Sequence, residues 1–224
     1  MIKGLVLIMK KSRCLVWLIL AGIAVSCATS PMTRDNPKKA KAPAISAGNM
    51  PERPERPSTP EKIMGKGLVQ PEELAAFLLE TNPGAEKQFV EDLAAFYAEE
   101  ASIEGVNHDT AFAQMCLETG FLRFGGLVTP EMNNFCGLGA IGPGQNGVVF
   151  PDPRTGVRAH IQHLKAYATD APLKQELVDP RYRYVRYGSS PAISGLSGTW
   201  AADRSYAEKI SGILERLYNF AYGT

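Results

Sequence analysis

This chain is poor in the residues that build metal centres and disulfide frameworks: its 224 residues include three histidines and four cysteines. The one histidine pair at helical spacing, His160 and His163, has no carboxylate nearby at a ligand interval. A packed or hydrogen-bonded role is expected for both, with no metal and no other cofactor. An excess of charge is missing too. Twenty-four basic residues stand against 23 acidic ones, so nothing in the bulk electrostatics points to a nucleic-acid partner. Beyond the first 26 residues no apolar run is long enough to span a bilayer. Charge also vanishes locally, across "MNNFCGLGAIGPGQNGVVFP" (132–151). The glycines there do not make a phosphate loop, because no strand-to-helix context and no lysine follows.

The N-terminus has the layout of a bacterial export signal. Lys10, Lys11 and Arg13 precede the apolar run "CLVWLILAGIAV", which is short for a membrane span. Met1 or Met9 would serve as its start. The run meets "AVSC", small residues before Cys27, and so looks like a lipobox, where the new N-terminal cysteine is lipidated. An ordinary secretory signal with an incidental cysteine is the alternative. Residues 1–26 are read as signal peptide and 27–67 as a lipidated, disordered tether. The tether is rich in proline and mixed charge, as in "PERPERP", and has too few large apolar residues to offset the entropy of ordering. A coil of that length spans roughly 35 Å, enough to hold a domain off a membrane. Ala28 is not an acidic retention signal, so a periplasm-facing outer-membrane anchor is expected in a two-membrane cell.

Residues 68–224 read as one folded domain, α+β and mostly α. Helices are predicted in "PEELAAFLLETN", opening at Pro71, and in "AEKQFVEDLAAFYAEEASIEG", closing at Gly105. A third, "NHDTAFAQMCLETG", takes Asn107 or Asp109 as its N-cap and Gly120 as a left-handed C-cap. "TGVRAHIQHLKAYA" makes the fourth and "RSYAEKISGILERLYNFA" the fifth, with Ile210, Ile213, Leu214 and Leu217 as its stripe. Between the third and fourth, "FCGLGA" and "GVVF" are the expected halves of a short hairpin.

One residue is oddly placed. Glu118 ends the third helix, where the helix dipole disfavours an ionised carboxylate. That field, with Phe112, Met115 and Phe121 around it, would raise its pKa and keep it protonated. A protonated acid aimed out of a helix end has the form of a general acid.

Four stretches then occur in a telling order: "AFAQMCLETGFLRFGG", "NNFCGLGA", "GVRAHIQHLKAYA" and "TWAADRSYAEKI". Together they resemble the bacterial glucosaminidase domain, from about Val69 to the C-terminus. That resemblance implies a lysozyme-like fold with a hairpin beside the cleft, and cleavage of peptidoglycan after N-acetylglucosamine. It puts the catalytic acid on Glu118, a second active-site group on Tyr206, and substrate-cleft residues on Asn134 and Phe135. Cys136, between the aromatic and Gly137, varies the family's pattern. Trp200 and Tyr167 are added as aromatic faces for sugar rings; Phe121 and Phe124 are open between cleft and core.

A second carboxylate is the missing part. Glu131, Asp152 and Asp203 are the residues left to supply it, unless the substrate's own 2-acetamido group assists with Tyr206 in support. Cys116 and Cys136 remain after the signal and anchor cysteines, as a possible disulfide or as two buried thiols. "RYRYVRYG" (181–188) interleaves bases with tyrosines; in an exported protein it reads as a loop or helix face, or as an attraction for stem-peptide carboxylates. The expectation is a monomer bound to glycan strands, with a lytic transglycosylase or a non-catalytic wall-binding lipoprotein as rivals.

Overall fold

The protein is described by a computed structural model over residues 56–142 and 144–223. The residues read as a signal peptide, Cys27 and most of the expected tether lie outside the described residues. Helix α1 (Pro71–Thr81) starts at a proline, which needs no hydrogen-bond partner there, and Glu73 reaches back to the Gln70 amide at 3.2 Å. Helix α2 (Lys87–Glu104) is capped by the Glu86 carboxylate and ends on left-handed Gly105. Helix α3 (His108–Thr119) is capped by Asn107 and is buried from Asp109 through Cys116, so it is the central rod of the domain. After a loop carrying strands β1 (Ala140–Gly142) and β2 (Gln145–Asn146), α4 (Pro153–Ala168) starts under the Asp152 cap. Helix α5 (Tyr206–Tyr222) buries the expected stripe of Ile210, Ile213, Leu214 and Leu217. α1, α2, α4 and α5 all pack against α3, and their apolar faces share one core. Among the described residues no helix is long and apolar enough to cross a membrane. The fold is mostly α, with a two-stranded antiparallel hairpin.

Two boundaries move. The folded part starts before residue 68. Ile63 is fully buried, its amide bonds the Pro191 carbonyl at 3.1 Å, and its carbonyl receives the Asn107 amide at 2.8 Å. Thr59 bonds Glu215 at 2.9 Å. Composition hid this strap, because one buried isoleucine and a few main-chain bonds suffice to dock an otherwise polar segment. The hairpin is displaced as well: it pairs 140–142 with 145–146 rather than "FCGLGA" with "GVVF". Gly139 and Gly147, at φ +76° and +110°, interrupt the extended backbone on both sides.

Buried charge ties the far side together. Glu104 accepts from Lys165 Nζ at 2.7 Å and from the amides of Lys174 and Gln175, while Glu100 meets Arg154 and Arg158. Removing one partner would strand a buried charge, which costs more than the pair is worth.

Candidate functional site

Helix α3 ends in two reverse hydrogen bonds, Phe121 N–H to the Cys116 carbonyl at 2.8 Å and Gly120 N–H to Leu117 at 3.3 Å. Gly120, at φ +58°, turns the chain there and leaves Glu118 on the last turn, facing out. The next residues stay left-handed: Phe121, Leu122 and Phe124 have φ near +60° without being glycine, at about 1–2 kcal/mol each. The surroundings hold that strain in place. Asn82 bonds the Phe121 carbonyl at 2.8 Å, Thr119 Oγ1 accepts the Leu122 amide at 2.9 Å, and Phe121 meets Phe77 edge-on. Phe121 thus packs on the core, whereas Phe124 lines a cleft.

That cleft is a cavity of about 350 Å³ with Glu118, Phe124, Val128, Gly137 and Trp200 on its walls. Ala140 brings the start of the hairpin to its rim. Trp200 Nε1–H donates to Glu118 Oε1 at 3.0 Å, and the Tyr206 hydroxyl donates to the same oxygen. Oε2 has no partner among the described residues. It looks toward Gly137, where an added Cβ would stand 3.8 Å away. With both donors on Oε1, the proton of the acid form belongs on Oε2.

Glu118 is open to the cleft yet low among protein atoms. The loss of bulk water raises its pKa, and the bonds from Tyr206 and Trp200 offset part of that rise. Desolvation therefore accomplishes what the helix-end position suggested. Tyr206, buried beside the carboxyl, is pushed well up and stays protonated.

Trp200 stacks among His163, Tyr167 and His160 at 5.1, 5.3 and 5.8 Å between centroids. Tyr167 bonds the Thr199 carbonyl at 3.2 Å and so braces the turn that carries Trp200. Beyond Trp200 the cleft runs on into a hollow of about 210 Å³ that Tyr167, His163 and Arg181 line.

Of two expected cleft residues, Phe135 serves the scaffold instead, and Asn134 lines the cleft with its amide tied into the loop. Phe135 is fully buried against Phe89, filling space over Gly156, and has no face for a sugar. Gly156 itself is required by contact: a Cβ there would fall 1.8 Å from the Asn133 carbonyl. Asn134 borders the cavity but is 1% exposed, and its amide is engaged with Leu138 and Val148. It shapes the loop that presents Gly137.

Cys116 and Cys136 are free thiols. Cys116 faces the main core, while Cys136 packs in a separate cluster with Leu138, Phe150 and Ala159. His160 is buried between Tyr97 and Gln114, and His163 bonds Asp179 at 2.7 Å. Among the described residues no cluster suits a metal ion. The 181–188 stretch is a surface turn in which Arg181 and Arg183 stack on Tyr184.

None of the three possible second carboxylates lines the cavity. Asp152 caps α4, Asp203 pairs with Lys209 and holds the Ser205 amide, and Glu131 sits exposed on a short 3-10 turn. One functional neighbour was missed: Gln114, a turn before Glu118 on the same face, donates to the Tyr206 oxygen at 2.9 Å. A lone amide four residues before the acid in an apolar helix was the available signal.

An acid on a helix end, two donors on one of its oxygens and an aromatic wall are the furniture of glycoside cleavage. The profile of the glucosaminidase family, described as mannosyl-glycoprotein endo-β-N-acetylglucosaminidase, matches residues 94–219. The chain belongs to the glucosaminidase family. That family of glycoside hydrolases is matched from within α2 onward, later than Val69. A relative from Borreliella burgdorferi, itself an uncharacterized protein, is 44% identical over 158 residues, covering 70% of this chain and 78% of that one. A solved structure, S. aureus autolysin E in complex with the muropeptide NAM-L-Ala-D-iGlu, is 14% identical. It covers 72% of this chain and 74% of its own at a TM-score of 0.45. At that distance residue roles do not transfer.

Proposed function

We propose that this glucosaminidase-family protein cleaves the β-1,4 bond after N-acetylglucosamine in peptidoglycan, as an endo-β-N-acetylglucosaminidase, with Glu118 as general acid. The supporting observation is the asymmetric carboxyl: both donors bind Oε1, and Oε2 is left toward the open cleft beside Gly137. The Oε2 proton passes to the glycosidic oxygen as the bond to C1 breaks. The charge left on the carboxylate spreads to Oε1, where Tyr206 and Trp200 already donate. Their bonds strengthen in the transition state, which is the condition for catalysis. Because no second carboxylate among the described residues lines the cavity, the 2-acetamido carbonyl of the substrate attacks C1 from the opposite face. Glu118, now ionised, then takes a proton from the water that opens the intermediate. Trp200 and Tyr167 offer flat faces to the sugar rings.

Lipidation at Cys27, and an anchor facing the periplasm in a two-membrane cell, complete the proposal: the tether would hold the cleft within reach of the wall. Labelling with a palmitate analogue tests it, since the label must be lost in Cys27→Ala.

The deciding experiment is mass spectrometry of fragments released from purified peptidoglycan by the full-length protein and by Glu118→Gln. Fragments ending in reducing N-acetylglucosamine, absent with the variant, are expected. Anhydro-muramyl ends would make the protein a lytic transglycosylase. Binding without any fragments would make it a wall-binding protein.

A further inference from the structure

Behind Tyr206 the hydrogen bonds continue into the core. Gln114 Nε2 lies 2.9 Å from the Tyr206 oxygen, Gln114 Oε1 lies 3.0 Å from His160 Nε2, and His160 Nδ1 lies 2.8 Å from the Tyr97 hydroxyl. Gln114, His160 and Tyr97 are all fully buried. The line draws one member from each of α2 and α4, Gln114 and Glu118 from α3, and Tyr206 from α5.

Elementary chemistry sets its direction. An amide oxygen can only accept, so His160 Nε2 carries the hydrogen, Nδ1 accepts, and the Tyr97 hydroxyl donates. An amide nitrogen can only donate, so the Tyr206 oxygen accepts from Gln114 and its single hydrogen is left for Glu118. Turning the Gln114 amide over would invert the line. His160 would become the Nδ1–H tautomer, Tyr206 would donate to Gln114, and its lone pair would face Glu118. The acid would satisfy that lone pair through Oε1, carrying its proton inward and away from the cleft.

We propose that His160 and Gln114 are positioning residues: they hold the Tyr206 hydroxyl as a donor to Glu118, which keeps the acid's proton on Oε2 at the open side of the cleft. This rests on Glu118 being the general acid. Neither residue touches substrate; both act through Tyr206.

Of the titratable groups near Glu118, Tyr206 from α5 donates to it, Tyr97 from α2 and Cys136 from the loop interact with its charge, and His160 and His163 from α4 pack on Trp200. Burial pushes Tyr97, Cys116, Cys136 and Tyr206 up, and pushes His160 down to about 3. His163 and Asp179 bond each other. Because Glu118 must be protonated in the free enzyme, its ionisation contributes to the alkaline limb of kcat/KM.

The test has two arms. In the full-length protein labelled with ¹⁵N-histidine, ring-nitrogen NMR at neutral pH is expected to show His160 as the neutral Nε2–H tautomer. An Nδ1–H tautomer or an imidazolium overturns the proposal. In the second arm, Gln114→Met and His160→Phe are assayed on peptidoglycan across pH after circular dichroism confirms folding. The expected result is a fall of about tenfold in kcat, KM within about twofold, and an alkaline limb displaced upward, because nothing then holds the Tyr206 hydroxyl in its donor orientation toward the Glu118 carboxylate. Folded variants with an unmoved limb and kcat within about twofold overturn it. If both variants fail to fold, the tautomer decides. A wild-type protein that releases no fragments sinks the hydrolase reading, and the tautomer still reads the direction of the line.

Discussion

Helix α3 carries a carboxylate at each end, and each has a tyrosine partner from α5. Asp109, in the first turn, accepts from the Tyr218 hydroxyl at 2.7 Å and from the amides of Leu68 and Val69. It is fully buried, and both of its oxygens are used. Glu118, on the last turn, receives Tyr206 and Trp200 on one oxygen and leaves the other toward the cleft. The same pair of helices thus makes a staple at one end and a reactive acid at the other. The difference lies in saturation. A buried carboxylate with both oxygens engaged has no room for a substrate; one with a single oxygen held has a direction in which to react.

The sharpest way to break the comparison is to neutralise each acid in turn. Glu118→Gln should cut turnover at least about 10³-fold with an unchanged melting curve, because the proton donor itself is gone. Asp109→Asn should leave turnover per folded molecule intact and cost about 2–4 kcal/mol in denaturant unfolding, because an amide cannot accept from every donor placed there. Equal effects of the two on either readout would erase the distinction.

The tyrosines give the next contrast. Tyr206→Phe is expected to lower kcat by about 10- to 100-fold with little change in KM, the scale of one charge-assisted donor. Tyr218→Phe should instead cost about 1.5–3 kcal/mol of stability and spare kcat.

Acid sharpens the comparison further, since the imidazole in the line behind Glu118 is fully buried, whereas that of His108, 3.2 Å from Asp109 Oδ1, is partly exposed. His160 sits far below its unfolded value, at about 3, so the unfolded chain takes up a proton that the native one refuses. Its contribution is complete above about pH 6.5 and is lost as pH falls toward 3, at roughly 1.4 kcal/mol per unit. Urea midpoints measured down that range should fall in the wild type and fall less steeply in a folded His160→Phe, where only carboxylates such as Glu100 still respond. The smallest effect is expected at Asp152→Asn: turnover within about twofold, because asparagine caps a helix as well as aspartate and the group lies off the cavity.

Legibility followed the range of the interaction. Asn107, Gly105 and Gly120 stop and start helices through bonds to residues three or four positions away, so their roles could be read directly. The family resemblance points to Tyr206 and the need for a flat sugar-binding face points to Trp200, and the structure brings both onto Glu118. Asn134 and Phe135 lie in one motif, yet Asn134 borders the cleft and Phe135 is buried scaffold. A motif marks where residues are constrained and does not say whether they face solvent or core. The strap at 56–67 went unread because its polar composition hides one buried isoleucine.

What the sequence determined by itself was therefore local and covalent: five helices with their caps, the uncharged loop, and an acid stranded at a helix end. What only the tertiary structure decided was which atoms around that acid are occupied. Gln114 meets His160 across 46 positions and Tyr206 across 92, and Trp200 reaches Glu118 across 82. Such contacts depend on how four helices pack to fractions of an ångström, and no periodicity encodes them. The same packing removes bulk water from Glu118, raising its pKa, and aims the free oxygen at the cleft.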